Sequence, residues 1–155
     1  MITVSRKVSL DVGVDSVWEF LWDIPRLSGC IPGCRKVEML ADQQLYAALM
    51  EQQVGPFKLA FDMQIRVAEV EPLRRVALAI AGQDPKLQVK VDQDLRVALD
   101  APAEGKTEIV IDSEVNVGGG ALARVGKPLL QMHINRVVDD FVRSLRNRIE
   151  AAAAS

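Results

Sequence analysis

Apolar and polar residues alternate along most of the first 117 positions, which is typical of strands with one buried face. The clearest run is "FKLAFDMQIRVAEVE", residues 57–71, because every odd-numbered position from 57 to 67 carries a large apolar side chain. The same period of two predicts strands at residues 4–12, 35–40, 45–54, 74–80, 86–99 and 107–117. Short turns such as those at 41–44, 55–56 and 101–106 join these strands, so an antiparallel sheet is predicted.

One short helix is predicted after the first strand. Its apolar stripe consists of Val17, Phe20, Leu21 and Ile24. Asp15 is placed to cap the start of this helix, and Pro25 ends it soon afterwards.

A second helical segment follows three glycines, Gly118 to Gly120, which predict a flexible corner after the last strand. From residue 121 onward apolar residues recur every three or four positions. Pro128 either kinks one long helix or begins the main helix, residues 128–150, in its first turn. Residues 151–155 are predicted to form a frayed tail.

This order of elements predicts a single α+β domain at residues 1–150. The last helix is the one predicted element long enough to cover the apolar face of the sheet, so the two pack as layers. A curved sheet that holds one helix can leave a space between them.

Composition and charge fit one globular domain. The chain has 155 residues, 49% of them hydrophobic and 26% charged, and its formal net charge of −2 comes without the basic stripe that binds nucleic acid. The N-terminus lacks the apolar core of a signal peptide, and no stretch reaches the ~20 apolar residues of a membrane span. We therefore expect a cytoplasmic protein whose thiols stay reduced.

The two cysteines, Cys30 and Cys34, stand on either side of an Ile-Pro-Gly turn. Two thiols supply half of a tetrahedral zinc site, and the single histidine, His133, lies about a hundred residues away. A redox pair usually has two intervening residues, whereas this one has three. The pattern therefore favours packing of both side chains beneath a turn, and no metal site is expected.

The sequence shows no arrangement of catalytic residues. The carboxylates of the strands alternate with apolar residues, which predicts that they lie on the outer face of the sheet. His133 lies at the edge of the apolar stripe of the long helix, and Asp139 and Asp140 are almost two turns away, so no local dyad forms.

Two polar residues, Gln93 and Ser113, interrupt the inward faces of their strands. Because buried polar groups find partners, they either hydrogen-bond across the sheet or one of them points into a cavity and fixes the polar end of a ligand.

Three local motifs, in this order along the chain, carry a resemblance to a known family. They are "VWEFLWD" at 17–23 followed by "CIPGC" at 30–34, "VGPFK" at 54–58, and "VGGGALARVG" at 117–126. With them the chain resembles the CoxG family of carbon monoxide dehydrogenase subunits, within the SRPBCC superfamily, whose START-type domains have a helix-grip fold. It departs from the family at "AGQDPKLQ", residues 81–88, where relatives usually have a glycine-rich stretch.

The resemblance implies a curved seven-stranded antiparallel sheet wrapped around the C-terminal helix, with a hydrophobic ligand cavity between them. Ile31, Pro32 and Gly33 would belong to a loop over the cavity mouth, and Cys30 and Cys34 would shape this loop. The candidates for the cavity wall, chosen by inward facing and position, are Leu27, Phe57, Phe61, Met63, Leu122, Val125, Leu129 and Met132.

The resemblance also implies partners. These are an apolar small molecule such as a quinone or a lipid, a molybdenum CO dehydrogenase or related molybdenum hydroxylase, and peripheral contact at the inner face of the membrane.

The leading hypothesis is a non-enzymatic binding module that presents an apolar ligand to a partner oxidoreductase. A second hypothesis is an enzyme of the same superfamily, such as a cyclase or dehydratase, with His133 as the best candidate for a general base. A third is an assembly factor with a filled core. A void of about 300 Å³ or more would favour ligand binding.

Overall fold

A computed structural model describes residues 1–42 and 44–154 of the chain, without the side chain of Ala121. The strands are β1 (Ile2–Leu10), β2 (Cys34–Ala41), β3 (Leu45–Val54), β4 (Phe57–Glu71), β5 (Arg75–Asp84), β6 (Val89–Ala103) and β7 (Lys106–Gly118). The α-helices are α1 (Val14–Trp22), α2 (Ile24–Ser28) and α3 (Lys127–Ala154), and a 3₁₀ helix covers Gly120–Arg124.

The strands form one antiparallel sheet in the order β1-β7-β6-β5-β4-β3-β2. Each strand from β2 to β7 pairs with the next one along the chain, whereas β1 pairs with β7. The sheet, the early helical segment and the long last helix confirm the predicted α+β helix-grip architecture.

The sheet buries one face because its strands keep the period of two that the sequence shows. In β4 the odd-numbered residues from 59 to 65 are buried and the even-numbered ones are exposed. Ile109 and Ile111 of β7 are buried as predicted. The carboxylates of Asp62 and Asp92 are exposed on the opposite face, which agrees with their predicted outward direction.

The segment after β1 folds as two short helices, although one was predicted. The four residues of the predicted apolar stripe are all buried. The prediction that Asp15 caps the helix is wrong, because α1 begins at Val14 and Asp15 lies in its first turn. The carboxylate of Asp23 accepts the backbone N–H of Arg26 at 3.3 Å and so caps α2, in which Pro25 occupies the first turn.

The turn at 55–56 is observed as predicted, whereas the turn predicted at 101–106 is longer than the observed one. β6 and β7 extend into the predicted turn at 101–106 and leave Glu104 and Gly105 between them. The turn predicted at 41–44 separates β2 from β3, and its residue Gln43 lies outside the described residues.

α3 is the helix that the sheet holds. Pro128 lies in its first turn, which is one of the two predicted alternatives. The helix continues to Ala154, beyond the predicted end at Glu150, and the fraying of the tail stays a prediction. In the described part of the chain, no helix combines the length and apolarity needed to cross a membrane.

Candidate functional site

A cavity lies between α3 and the buried face of the sheet. The backbone of α3 comes closest to β1, at one edge of the sheet, and also approaches β3 near the other edge. Over the described residues its backbone approaches β4, β5, β6 and β7 at fewer points, and the cavity lies between the helix and these strands. The cavity has a volume of about 150 Å³ and is partly open to solvent.

The wall of the cavity is almost entirely apolar. It is formed by inward residues of β1 and of β3 to β7, together with Leu122 of the 3₁₀ helix. The first half of α3 closes the other side with Leu130, Ile134, Val137, Val138 and Phe141. Apart from the Cys34 thiol, the polar side chains that line it among the described residues are Gln52, Gln93, Ser113 and His133.

The volume of about 150 Å³ is roughly half of the 300 Å³ that we set for a ligand-binding cavity. An apolar cavity of this size in another protein stays dry and binds benzene. The space therefore accommodates one ring-sized apolar group, and a longer molecule would extend through the opening.

The structure brings together part of the predicted site. Ile31, Phe61, Met63 and Leu122 line the cavity. Pro32 and Gly33 lie in the loop at its rim, between Ile31 and Cys34. Whether any of these residues binds a ligand stays a prediction.

Five predicted wall residues lie elsewhere, and for these the predicted position is wrong. Leu27 of α2 is buried in the core, and Phe57 and Val125 are half-buried outside the wall. Leu129 and Met132 are exposed by 42% and 57%. The prediction assigned the wrong face of the first turns of α3 to the cavity. The face that lines the cavity begins at Leu130 and includes His133.

A chain of hydrogen bonds joins three elements at the rim. The amide Nε2 of Gln52 on β3 donates to the carbonyl oxygen of Pro32 at 2.6 Å, and the Oε1 of Gln52 lies 2.9 Å from Nε2 of His133 on α3. We call Pro32, Gln52 and His133 the rim latch. The backbone of Gly33 also accepts the N–H of Glu51 at 2.9 Å, which holds the loop against β3.

Gly33 is required where it stands. Its φ of +82° lies in the left-handed region, and a Cβ atom there would collide with the carbonyl oxygen of Glu51. A glycine at this position therefore lets the loop lie flat on β3.

The rim latch determines which ring nitrogen of His133 must carry a proton. The carbonyl of Pro32 can only accept, so the amide nitrogen of Gln52 faces it and the amide oxygen faces the imidazole. Nε2 of His133 must then carry a proton and donate it. Burial lowers the pKa of His133 below its ordinary value, and the positive charge of Arg136 lowers it further, which favours the neutral imidazole.

Sequence reasoning missed Gln52, although a signal for it exists. Every second residue of β3 faces inward, starting with Tyr46, Ala48 and Met50, and the next residue in this series is Gln52. The polar run "EQQ" around it conceals this position, because a run of polar residues is usually exposed.

The second polar pair lies on the sheet. Gln93 of β6 and Ser113 of β7 both line the cavity, and Nε2 of Gln93 donates to Oγ of Ser113 at 2.8 Å. The first predicted alternative, a hydrogen bond across the sheet, is confirmed, and the pair also faces the cavity; that it fixes the polar end of a ligand stays a prediction. We call Gln93 and Ser113 the interior pair.

The two cysteines have different surroundings. Cys30 is 2% exposed and lies beside Ser144 and Arg148 of α3, whereas Cys34 is half-buried and lines the cavity. Both are free thiols. Burial raises the pKa of each thiol, so both are protonated at neutral pH. The described residues include no group of three His, Cys, Asp or Glu side chains placed to hold a metal ion.

Comparison with known proteins gives one family and a set of similar folds. The model of the CoxG family, described as a subunit of carbon monoxide dehydrogenase, matches residues 7–150. None of the curated proteins matches the chain.

Several solved structures are similar to this chain. A conserved protein from Geobacillus kaustophilus is similar with a TM-score of 0.85 and 22% identity, covering 97% of each chain. A START superfamily protein from Mycobacterium smegmatis has a TM-score of 0.72 at 14% identity, over 98% of this chain and 99% of the other. The Zhui aromatase/cyclase from Streptomyces sp. R1128 has a TM-score of 0.70 at 16% identity, over 96% and 93%. At these identities the similarity shows the fold.

Proposed function

Because the chain belongs to the CoxG family of carbon monoxide dehydrogenase subunits, we propose that it is a non-enzymatic carrier of an apolar ligand. The ligand is a quinone or a lipid-like molecule, and the protein presents it to a molybdenum CO dehydrogenase-type oxidoreductase in the cytoplasm. We refer to this ligand as the guest.

The apolar cavity is the single observation that supports this proposal best. Transfer of apolar surface from water into such a cavity is favourable by about 25 cal/mol per Å², before the costs of association. The size of about 150 Å³ fits a ring, and the partial opening lets an attached chain leave the cavity. A ring with an apolar tail matches both features.

Two measurements test the proposal: the identity of the molecule that copurifies with the protein, and the binding of a quinone by protein from which that molecule has been removed. We expect organic extraction of the purified protein, followed by mass spectrometry, to release a quinone or lipid. We also expect duroquinone, whose ring carbons are all substituted and do not add to Cys34, to raise the melting temperature of emptied protein. A preparation without extractable guest that no quinone stabilises would overturn the proposal.

A matched pair of variants ties the uptake to the cavity. Val137→Phe puts a larger side chain into the cavity, whereas Val142→Phe makes the same change at a half-buried position of α3 outside the wall. We expect the first variant to lose duroquinone binding and the second to keep it. Equal binding by both would place the guest elsewhere.

Peripheral membrane contact has its own support. Leu129 and Met132 are exposed, and Leu129 lies over Gly55, which follows the wall residue Val54. An apolar surface at the opening would let a guest pass from a bilayer without crossing water. We expect Leu129→Ser with Met132→Ser to reduce co-sedimentation with liposomes. Met39→Ser with Leu40→Ser, at two β2 residues of similar exposure, should leave it unchanged. The opposite ranking would refute this contact.

One observation favours a second function, an enzyme of the cyclase type. The imidazole of His133 lies in the cavity wall, where a general base would have to stand. Its Nε2 is held by Gln52, and no carboxylate lines the described wall. Turnover of a polyketide-like substrate that disappears in His133→Ala would establish this alternative over the carrier.

A further inference from the structure

We propose that Gln93 and Ser113 form a polar subsite that binds one neutral oxygen atom of the guest, in the first place a carbonyl oxygen. The inference rests on the proposed function and names the chemical feature that the guest must carry at its buried end.

The interior pair lies on the inward face of the sheet, where Ser113 is buried and Gln93 is half-buried. Ser113 is 2% exposed, and its strand neighbours in the pairing register are Val4 of β1 and Leu95 of β6. Gln93 stands opposite Val115 of β7. The residues at these neighbouring positions are apolar and lie on the same inward face, so the two polar side chains are surrounded by apolar ones.

The pair has hydrogen-bonding capacity that its mutual bond does not use. With Nε2 of Gln93 donating to Oγ of Ser113, the hydroxyl proton, the second amide proton and the amide oxygen remain available. If the amide is turned so that Ser113 donates instead, both amide protons remain. No other hydrogen-bond partner of either side chain exists among the described residues. In either orientation the pair therefore offers a donor to the cavity.

The surroundings select a neutral oxygen over a charged one. Apart from the imidazole of His133, no ionisable nitrogen or carboxylate lines the described wall. A carboxylate or phosphate placed beside Gln93 and Ser113 would lose its hydration without gaining a counter-charge, which is costly. A carbonyl oxygen accepts from the free donors and brings no charge.

The other polar residues of the wall do not offer the same subsite. In the rim latch, the amide oxygen of Gln52 and Nε2–H of His133 are bonded to each other, and one amide proton of Gln52 is bonded to Pro32, which leaves one amide proton of Gln52 unused at the rim. The rim latch therefore holds the loop, whereas the interior pair is left to hold a guest.

Two ring compounds of nearly the same shape test the inference. 1-Indanone carries one carbonyl oxygen, and indane is the hydrocarbon without it. A hydrocarbon would leave the donors of the interior pair unpaired, which is the situation in which a site discriminates strongly. We expect the native protein to prefer 1-indanone over indane by about tenfold beyond their difference in transfer from water, as measured by competition with a fluorescent apolar probe.

Variants assign the preference to the pair. We expect Ser113→Ala to reduce the preference severalfold, and the double variant Gln93→Leu with Ser113→Ala to abolish it while indane still binds. Gln52→Met at the rim should keep the preference. Binding of indane by each variant reports that the variant is folded.

A spectroscopic readout does not depend on affinity. The carbonyl stretch of bound 1-indanone should shift to lower frequency in the native protein, because it accepts a hydrogen bond, and should return in the double variant to the value in hydrocarbon solvent. Equal binding of both compounds, or an unshifted stretch, overturns the inference and leaves the proposed function intact. Failure of both compounds and of duroquinone to bind overturns the proposed function and the inference with it.

Discussion

The two halves of α3 carry similar apolar stripes, but the stripe of the second half packs in the core and that of the first half lines the cavity. In the second half Leu145 and Ile149 are completely buried, at 0% and 1% exposure, in the core cluster that includes α1 and β1. In the first half Ile134 and Val137 also face inward, yet they are half-buried because they face the cavity. One helix thus holds the fold together at one end and forms the wall of a site at the other.

The difference shows that an inward apolar residue is not always a packed one. A stabilising side chain needs neighbours on all sides, and Leu145 and Ile149 have them in the core cluster. Over the middle of the curved sheet the neighbours are missing, and the same residue types lose contacts there. The region that contributes less to stability is the one that can take a guest.

The largest expected effect compares two leucines of α3. Leu145→Ala should lower the free energy of unfolding by about 3 kcal/mol, because it leaves a new cavity in a packed core. Leu130→Ala, in the wall of the existing cavity, should cost about 1 kcal/mol or less. Urea denaturation of both variants measures the difference. Equal losses would mean that the first half of α3 is packed like the second.

The two thiols report the same contrast chemically. Cys34 should react with iodoacetamide about tenfold faster than Cys30, because Cys30 is reached only after local opening. Duroquinone should slow the reaction of Cys34 and leave that of Cys30 unchanged. Mass spectrometry of the alkylated peptides distinguishes the two sites. If duroquinone slowed the alkylation of both cysteines or of neither, the guest would not lie beside Cys34.

A smaller effect is expected when the rim latch is broken. Gln52→Met keeps the length of the side chain but removes its bonds to Pro32 and His133. We expect the guest to enter and leave severalfold faster, with little change in its dissociation constant, because the latch holds the loop and not the guest. Stopped-flow measurements give both rates. Unchanged rates would show that the guest passes by another route.

The smallest effect is a dependence on pH. The pKa of His133 is lowered in the folded protein, so the unfolded chain binds the proton more readily. The contribution of His133 to stability is therefore complete above the unfolded pKa of about 6.5 and is lost as pH falls through the folded value. NMR titration of the single histidine should give a pKa below about 6.5, and His133→Gln should remove this part of the pH dependence. A pKa above that value would contradict the buried, neutral imidazole.

Sequence patterns predict the fold well because the strands keep one period throughout. Phe61 and Met63 could be assigned to the wall because a period of two leaves one choice of face. Gln93 and Ser113 could be singled out because each breaks an otherwise apolar face. These predictions depend only on the alternation of side chains within one strand, and this alternation is retained when the strands pair in the sheet.

The first turns of α3 could not be predicted in the same way. Leu129 and Leu130 are adjacent apolar residues, so two overlapping stripes fit the helical period, and contact with the sheet decides between them. The volume of the cavity depends on how far the curved sheet stands from the helix, which no local pattern encodes. The rim latch was missed for a related reason, since it joins residues from three distant segments.

The most direct test of the account locates the guest in the protein. Isotope-filtered NOE spectra of the labelled protein with saturating duroquinone should show contacts from the ring methyl groups to the methyl groups of Ile134, Val137 and Val138. Leu145 and Ile149, on the packed half of the same helix, should show none. Contacts confined to the exposed Leu129 and Met132, or the absence of saturable binding, would contradict the claim that the gap between α3 and the sheet houses a guest.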